Sequence, residues 1–236
     1  MDIEPEARRL FSSIEQSFSK TALGNQRWYL VALTALTGGG SPHLADQLYL
    51  YLIQQAQYST SPSRQALIRR LREDLVKAVS IIGVCRPIEA IVAISNVERE
   101  EDRDYSCSRE GWACDDANHQ RGMDWLHKVY KQNVNFNLNL FNAHKDFDWI
   151  SKEITYGLYL SDRQVLDDID TELVVVSGIM IQNLKNETWW HIRGTRRQGV
   201  SKEDMHVVYD CIKEVAAFLQ IKLDRVPTVD EVEPDV

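Results

Sequence analysis

Between residues 172 and 191 the chain reads Glu172-Leu-Val-Val-Val-Ser-Gly-Ile-Met-Ile-Gln-Asn-Leu184-Lys-Asn-Glu187-Thr-Trp-Trp-His191. A matching stretch between residues 73 and 92 reads Glu73-Asp-Leu-Val-Lys-Ala-Val-Ser-Ile-Ile-Gly-Val-Cys85-Arg-Pro-Ile88-Glu-Ala-Ile-Val92. In both copies a Glu is followed by eleven residues, a second position, two residues, a third position, three residues and a fourth position. A repeat of this size, with a helix–turn–helix unit in each copy, predicts an internal duplication.

Helical periodicity runs through both copies. Residues 44–57 contain good helix formers and no helix breaker, and residues 173–181 are apolar on nearly every side, which is typical of a buried helix. Residues 63–82 carry an apolar stripe at spacings of three or four: Leu67, Leu71, Leu75, Val79 and Ile82. We therefore expect an all-α fold of two duplicated helical modules packed as one unit.

Capping signals place the helix ends and the domain limits. Gly83 is expected to end the first long helix, Asn186 to cap the helix that carries His191, and Gly199 to end that helix. Ser201 to Asp204 resembles a capping box that starts a last long helix, which runs to about Leu219. We expect an N-terminal module in residues 1–105, a C-terminal module in residues 106–220, and a loose acidic tail in residues 221–236.

Composition narrows the class of protein. The 236 residues are 44% hydrophobic and 26% charged, which is typical of a globular chain, and the net charge of −8 argues against a general nucleic-acid surface. The N-terminus lacks the apolar stretch of a signal peptide, and the longest apolar runs are too short to span a bilayer. Four Cys without a secretory context favour reduced thiols and a cytoplasmic location.

The second copy of the repeat carries groups that move protons. Glu187 and His191 are four residues apart, so they share one helix face, and a carboxylate can orient an imidazole that titrates near neutral pH. A surface ion pair or a buried structural His is the alternative for this pair. Glu172 has an alternative role as well, because a carboxylate in a first helical turn capped by Asp170 or Thr171 stabilises the helix dipole.

Three further side chains are candidate substrate contacts. Tyr156 has a hydroxyl that can donate a hydrogen bond to a developing oxyanion, and Trp190, beside Trp189, offers an aromatic wall to a ring-shaped substrate. Core packing or a subunit interface explains the two Trp equally well. Arg193 lies in a basic patch with Arg196 and Arg197, which either binds a phosphate or carboxylate or is a solvated helix face.

The cysteines do not form a recognisable metal site. The spacing of Cys107, Cys114 and His119 matches no common zinc pattern, and no fourth ligand is evident, so we expect no metal and no cofactor. Cys85 is expected to be a buried small residue at a helix start. Ile88 and Val92 occupy the third and fourth positions of the first copy, and we expect polar substitutions there to harm stability.

The second half resembles the carboxymuconolactone decarboxylase and alkyl hydroperoxidase D superfamily. The resemblance covers roughly residues 119–215, with a fainter copy over about 25–98, and the whole chain is similar to the fungal two-module proteins of this superfamily. Its pieces occur in order: His119 to Gly122 followed by Leu126 and Tyr130, Ile154 to Gly157, Leu166 to Asp168, Thr171 to Val174, Glu187 to His191, and Gly194 to Asp204.

The resemblance implies a choice between two chemistries. The hydroperoxidases of the family use a Glu, a Cys pair and a His; here Glu172 and His191 match the Glu and the His, but Leu184 and Glu187 stand at the Cys positions. In the first copy only Glu73 and Cys85 match. Neither copy can form the disulfide, so the decarboxylase branch, which also lacks the Cys pair, is the closer analogue.

The sequence thus predicts a cofactor-free decarboxylase, isomerase or cyclase that acts on a small cyclic or aromatic metabolite. His191 is expected to be the acid or base, Glu187 to orient it, and Glu172 to shuttle or stabilise charge. A thiol-dependent redox protein that works through Cys85 or the Cys107 region, and a non-catalytic oligomeric scaffold, are the alternatives. Because family members are typically oligomers and apolar helices near Tyr49 and Trp189 could cover one another, we expect a dimer or trimer.

Overall fold

A computed structural model describes residues 3–236, and all regular structure in this range is helical. This confirms the predicted all-α class. No helix in the described range is both long and apolar enough to cross a bilayer. The α-helices are α1 Pro5–Phe18, α2 Trp28–Gly38, α3 Ala45–Leu52, α4 Ser61–Ile82, α5 Cys85–Val97, α6 Asp116–Tyr130, α7 Val134–Asn139, α8 Lys145–Trp149, α9 Asp168–Met180, α10 Lys185–Arg197, α11 Lys202–Phe218 and α12 Val229–Val232, and a π-helix spans Ile150–Tyr159.

The main hydrophobic core is built around α2 and α9, whose residues are almost all buried. These two helices pack on each other, α4 packs on both, and α1 packs on α11. The core runs from Ile3 through Ile94 and resumes from Leu166 to Val232. Residues on both sides of the predicted limit at 105/106 therefore share one core, as the expectation of a single packed unit requires, while the duplication stays a prediction.

A second apolar cluster surrounds the π-helix. It contains buried side chains of α6, the π-helix and α9, among them Trp125, Tyr130, Tyr156 and Val175. The π-helix packs closely against α6 and also touches α4. Because π-helical segments are rare and occur frequently at functional sites, this cluster is a natural place to look for chemistry.

Helix ends follow the predicted signals in part. Gly83 ends α4 with φ at 83°, a conformation that favours glycine, and the Ser201 side chain accepts a hydrogen bond from the backbone N of Asp204 at the start of α11. The cap of α9 is Asp167, so Glu172 lies in the second turn of the helix and not in the first. The predicted Asn186 cap is also wrong, because α10 begins at Lys185.

The burial predicted for the first copy is wrong. Cys85 is exposed, and Ile88 and Val92 are 54% and 51% exposed. The reason is the rotation of α5, which buries the face that carries Pro87, Ala90 and Ile94 against neighbouring helices. The repeat pattern fixes the spacing of positions along a helix but not which of its faces meets the core.

The acidic tail is not loose. Residues 228–235, which we call the acidic segment, fold as α12 followed by a 3₁₀ turn over Glu233–Asp235. Val229 and Val232 are buried in the main core, and Glu233 forms a two-bond ion pair with Arg196 at 2.6 and 2.8 Å. Apolar anchoring at every third residue and charge pairing with α10 hold this segment in place.

Candidate functional site

A buried imidazole–carboxylate pair joins α9 to α10. The Nδ1 of His191 lies 3.1 Å from Oε2 of Glu172, and these residues are 4% and 0% exposed. Since a carboxylate accepts hydrogen bonds, this contact places the imidazole proton on Nδ1 and leaves Nε2 as an acceptor. Glu172 thus orients His191, the role that the sequence assigned to Glu187.

Two tyrosines continue the chain from the other imidazole nitrogen. The hydroxyls of Tyr130 and Tyr156 lie 3.3 and 3.5 Å from Nε2 of His191 and 2.7 Å from each other. The result is a buried hydrogen-bonded path that runs from Glu172 through His191 to two phenols. Such a path can transfer a proton over several ångströms and can present a hydroxyl donor to a reacting oxygen.

Burial keeps both phenols protonated. It raises the pKa of Tyr156 well above the ordinary value, and nearby Tyr130 and Glu172 add to the shift. Burial likewise raises the pKa of Tyr130, with the Tyr156 hydrogen bond opposing the shift. Both hydroxyls therefore act as neutral donors near neutral pH.

Glycines bring the tyrosine-bearing helices together. A Cβ added to Gly122 of α6 would lie 2.3 Å from the carbonyl oxygen of Lys152 and 3.1 Å from the backbone N of Gly157. The side chain of Asn118 also donates to the carbonyl of Glu153 at 2.9 Å. The close backbone contact of Gly122 with Gly157 thus sets Tyr130 beside Tyr156. Both glycines belong to the pieces that suggested the family resemblance.

A third glycine, Gly194, makes room for the carboxylate of Glu172. A Cβ on Gly194 of α10 would lie 2.9 Å from Oε2 of Glu172 and 2.8 Å from Cγ1 of Val129. Only a residue without a side chain allows α10 to approach α6 and α9 this closely. The other carboxylate oxygen, Oε1 of Glu172, is buried and has no hydrogen-bond partner among residues 3–236, so it remains a free acceptor beside His191.

The remaining predicted site residues lie around this chain. Glu187 is half-buried and forms neither a hydrogen bond nor an ion pair within the described range, yet its charge contributes to the raised pKa of Tyr130. Trp190 is half-buried, and the covered part of its side chain packs against the second apolar cluster. Arg193 is buried, and its Nε has no hydrogen-bond partner in residues 3–236.

The sequence missed Tyr130 as a site residue. Tyr130 is the last residue of α6, and its hydroxyl becomes relevant only where the end of α6 meets the π-helix. The one available signal was its place in the motif after Gly122 and Leu126.

The matching Glu of the first copy has a different environment. Both oxygens of Glu73 accept from Arg109, at 2.6 and 2.7 Å, and one lies 3.4 Å from Nζ of Lys77. Burial lowers the pKa of Lys77 to about 7, and its ammonium donates to the carbonyls of Leu160 and Asp162. This network fastens α4 to the C-terminal end of the π-helix, so Glu73 has a structural role.

A surface cavity of about 570 Å³ opens where α6, α9 and α10 meet. Its lining includes Lys128 and Lys131 at the end of α6, Asp168 at the start of α9, and Arg197 at the end of α10. The guanidinium of Arg197 also donates to the backbone carbonyl of Tyr130 at 2.7 Å. Through Arg197 the cavity is linked to the backbone of Tyr130, whereas the Tyr130 hydroxyl of the hydrogen-bonded chain is buried.

The fold and the site define an all-helical protein with a buried carboxylate–imidazole–phenol chain. No family model matches the sequence, and no solved structure matches the chain. Among curated proteins, the chain is similar to Peroxisomal protein 2 of Schizosaccharomyces pombe, with 21% identity over 179 residues, which cover 75% of this chain and 79% of that relative.

Proposed function

We propose that this protein is a cofactor-free acid/base enzyme, a decarboxylase, isomerase or cyclase that acts on a small cyclic or aromatic metabolite. The observation that supports this most strongly is the buried chain from Glu172 through His191 to Tyr130 and Tyr156. A charged or polar chain buried in an apolar cluster costs stability unless every member is paired, and Oε1 of Glu172 has no hydrogen-bond partner in residues 3–236, which favours a chemical role over a packing role. Membership of the carboxymuconolactone decarboxylase-like superfamily is part of the same proposal.

Each member of the chain has a distinct role in this proposal. His191 accepts the substrate proton and later returns it, while Glu172 holds the imidazole in one tautomer and stabilises the imidazolium that forms. The Tyr156 hydroxyl donates to the oxyanion that develops when a proton or carboxyl group leaves the substrate. Tyr130 links the two, since its hydroxyl contacts both Tyr156 and His191.

Proton abstraction can be tested before the natural substrate is known. A panel of small cyclic keto acids, lactones and aromatic carboxylates is incubated with the protein in D₂O, and incorporation of deuterium at carbon is followed by NMR. We expect at least one substrate class to exchange with the wild type and to lose exchange with His191→Ala. His206→Ala is the matched control, because His206 is half-buried and pairs with Asp230, outside the hydrogen-bonded chain.

If no compound of the panel exchanges, a metabolite extract is incubated with the wild type and with His191→Ala, and the products are compared by mass spectrometry. A product that forms with both proteins equally, or with neither, contradicts the proposed function.

A second candidate, a thiol-dependent redox protein, has one observation in its favour. Cys107 is exposed and lines a cavity of about 260 Å³ together with Glu73 and Arg72. A thiol beside a cation and a carboxylate is a plausible nucleophile for a small oxidant. Turnover of peroxide that is lost in Cys107→Ser but kept in His191→Ala would establish this alternative in place of the first.

The cellular setting is proposed on separate grounds. The similar protein of S. pombe is named for the peroxisome, whereas the sequence predicts a cytoplasmic location. Imaging of the tagged protein beside a peroxisomal marker decides between the two compartments. The dimer or trimer also stays a proposal, and its predicted surfaces need revision because Tyr49 is buried and Trp189 is half-buried in its own chain.

A further inference from the structure

Three donor side chains form a line along one face of α10. Trp189, Arg193 and Arg197 are spaced four residues apart, so they stack on neighbouring turns. The carboxylate of Asp235 lies on this line: its Oδ2 accepts from Nε1 of Trp189 at 3.0 Å, and the backbone carbonyl of Asp235 accepts from Arg197 at 3.0 Å. We call these three side chains the donor line.

The two arginines of the donor line have too few negatively charged partners. Arg193 is 7% exposed, its Nε has no hydrogen-bond partner, and it forms no ion pair within residues 3–236. Burial lowers the pKa of Arg193, which the charge of Asp235 opposes, and burial together with the like charge of Arg193 lowers the pKa of Arg197. One carboxylate, already bonded to Trp189, is thus the nearby counter-charge for two partly desolvated cations, and leaving a buried charge unpaired is costly.

Space for a ligand adjoins the donor line. Arg197 lines the cavity of about 570 Å³ and also contacts both Tyr130 and Asp235 through its guanidinium. A small ring bearing one carboxylate is well within that volume. Its acidic group can meet Arg197, the member of the donor line that lines the cavity, while Arg193 and Trp189 lie one and two turns further along α10.

We propose that Trp189, Arg193 and Arg197 bind the carboxylate of the substrate, and that Asp235 of the acidic segment occupies this subsite until the substrate displaces it. The inference rests on the proposed function for the identity of its ligand as substrate. A carboxylate is favoured over other anions because the group that accepts from the Trp189 indole N–H is itself a carboxylate, and its charge already acts on Arg193 and Arg197.

The acidic segment is built to release Asp235 without unfolding. Val229 and Val232 anchor it in the main core, and Glu233 pairs with Arg196, whereas Asp235 lies beyond these anchors in the final 3₁₀ turn. The contacts that must break are therefore those of Asp235 with Trp189 and Arg197. An internal competitor of this kind lowers the apparent affinity for the ligand, because the ligand can bind only during the fraction of time in which Asp235 has left the subsite.

Calorimetric titration with cyclohexanecarboxylate tests the proposal, with cyclohexylmethanol as the uncharged comparison probe. We expect Asp235→Asn to bind the carboxylate at least about fivefold more tightly than the wild type, because the competitor is weakened. Adding Arg193→Met to that variant is expected to weaken carboxylate binding at least about tenfold. The affinity for cyclohexylmethanol is expected to be the same in all of the proteins.

Control variants separate this inference from the proposed function. Asp230→Asn removes the same charge from the acidic segment, but Asp230 pairs with Lys202, so its affinity is expected to equal that of the wild type. Asp235→Asn combined with His191→Ala is expected to bind the probe as tightly as Asp235→Asn alone. If binding follows these expectations but proton exchange does not depend on His191, the subsite stands and the proposed function fails.

Two results overturn the subsite. One is equal affinity of Asp235→Asn and the wild type, and the other is unchanged affinity after Arg193→Met in a protein that melts as the wild type does. Arg193→Lys is measured beside Arg193→Met in case the latter misfolds. Arg193→Lys keeps the charge but loses the planar guanidinium, so its affinity is expected to lie between that of the protein with Arg193 and that of Arg193→Met. Unchanged affinity in both Arg193→Lys and Arg193→Gln would count against the proposal.

Discussion

The imidazole of His191 takes its orientation from Glu172, which lies 19 residues earlier in the chain, with 3.1 Å between Nδ1 and Oε2. The carboxylate four residues before His191, Glu187, is only half-buried and does not bond to it. The pair links two antiparallel helices across a turn, so its geometry depends on how α9 and α10 pack. Gly194 allows that packing, because any side chain at this position would meet Glu172.

The first prediction compares the two glutamates. His191→Ala and Glu172→Gln are each expected to lower turnover by about 10²–10⁴-fold, since both act in one proton-transfer path, and the double variant is expected to be scarcely worse than the worse single variant. Glu187→Gln is expected to cost less than about tenfold. Rates are measured beside melting temperatures, and equal losses in Glu187→Gln and Glu172→Gln would show that the observed hydrogen bond does not decide the orientation.

The second prediction concerns the phenols. Tyr156→Phe removes a buried hydroxyl and is expected to lower turnover by about tenfold or more, through the loss of a donor to the developing oxyanion. The free energy of unfolding is expected to fall by about 0.5–1.5 kcal/mol, the net contribution of one hydrogen bond. Chemical denaturation and turnover are measured on the same samples. A loss of stability with unchanged turnover would make Tyr156 a packing residue.

The third prediction tests the close approach at Gly194. Gly194→Ala places a methyl group 2.9 Å from Oε2 of Glu172 and 2.8 Å from Val129, so the carboxylate that contacts His191 must shift. We expect turnover to fall by at least about tenfold, because small misplacements of catalytic groups are costly. Gly178→Ala is the control: its added methyl meets Thr34, Ile81 and Ile82 at 3.1–3.2 Å but touches no residue of the site. Retained turnover in Gly194→Ala would argue against a tightly fixed pair.

The fourth prediction is a pH effect on stability from a buried carboxyl group. Asp74 is fully buried, its carboxyl group is hydrogen-bonded to the Thr34 hydroxyl, and burial raises its pKa well above the ordinary value. A raised folded-state pKa gives stability that is complete below the unfolded pKa and is lost as pH rises through the folded pKa. The stability of Asp74→Asn relative to wild type is therefore expected to increase from pH 4 to pH 7.

Asp104 supplies the control of opposite sign. Burial opposes its ionisation, but hydrogen bonds from Ser106, Arg72 and Arg69 outweigh this and lower its pKa. Its contribution to stability is present above the unfolded pKa and is lost as pH falls, so Asp104→Asn is expected to lose most stability near pH 7 and least near pH 3. Urea denaturation across this pH range measures both variants. Parallel pH profiles for the two would contradict the assignment.

The fifth prediction follows from the exposed face of α5. Ile88→Gln and Val92→Gln are each expected to change the free energy of unfolding by no more than about 0.5 kcal/mol, because both side chains are more than half exposed. Ile94→Gln on the same helix is the control and is expected to cost several times as much, since Ile94 is 1% exposed. The sequence alone predicted the opposite for Ile88 and Val92. Thermal and denaturant unfolding of the three variants decides.

The sequence by itself determined the helical class, the main helix positions, and a Glu and a His at the first and fourth positions of the second copy. Periodicity fixed α4 and its end at Gly83, and the unbroken apolar run fixed the buried α9, because both signals act over a few residues within one helix. The candidate site at Glu172, Glu187, His191 and Tyr156 was predicted from local spacing together with the family resemblance.

Only the tertiary structure decided which of these groups meet. The rotation of α5 exposes Ile88. The contact of Gly122 with Gly157 brings Tyr130 to Tyr156. The packing of α10 on α9 makes Glu172, and not Glu187, the hydrogen-bond partner of His191. The acidic segment likewise lies on α10 because Val229 and Val232 find places in a core formed by helices far away in the chain. Local patterns set the residues that share a helix face, but the face that is buried and the partner it meets depend on packing between distant segments.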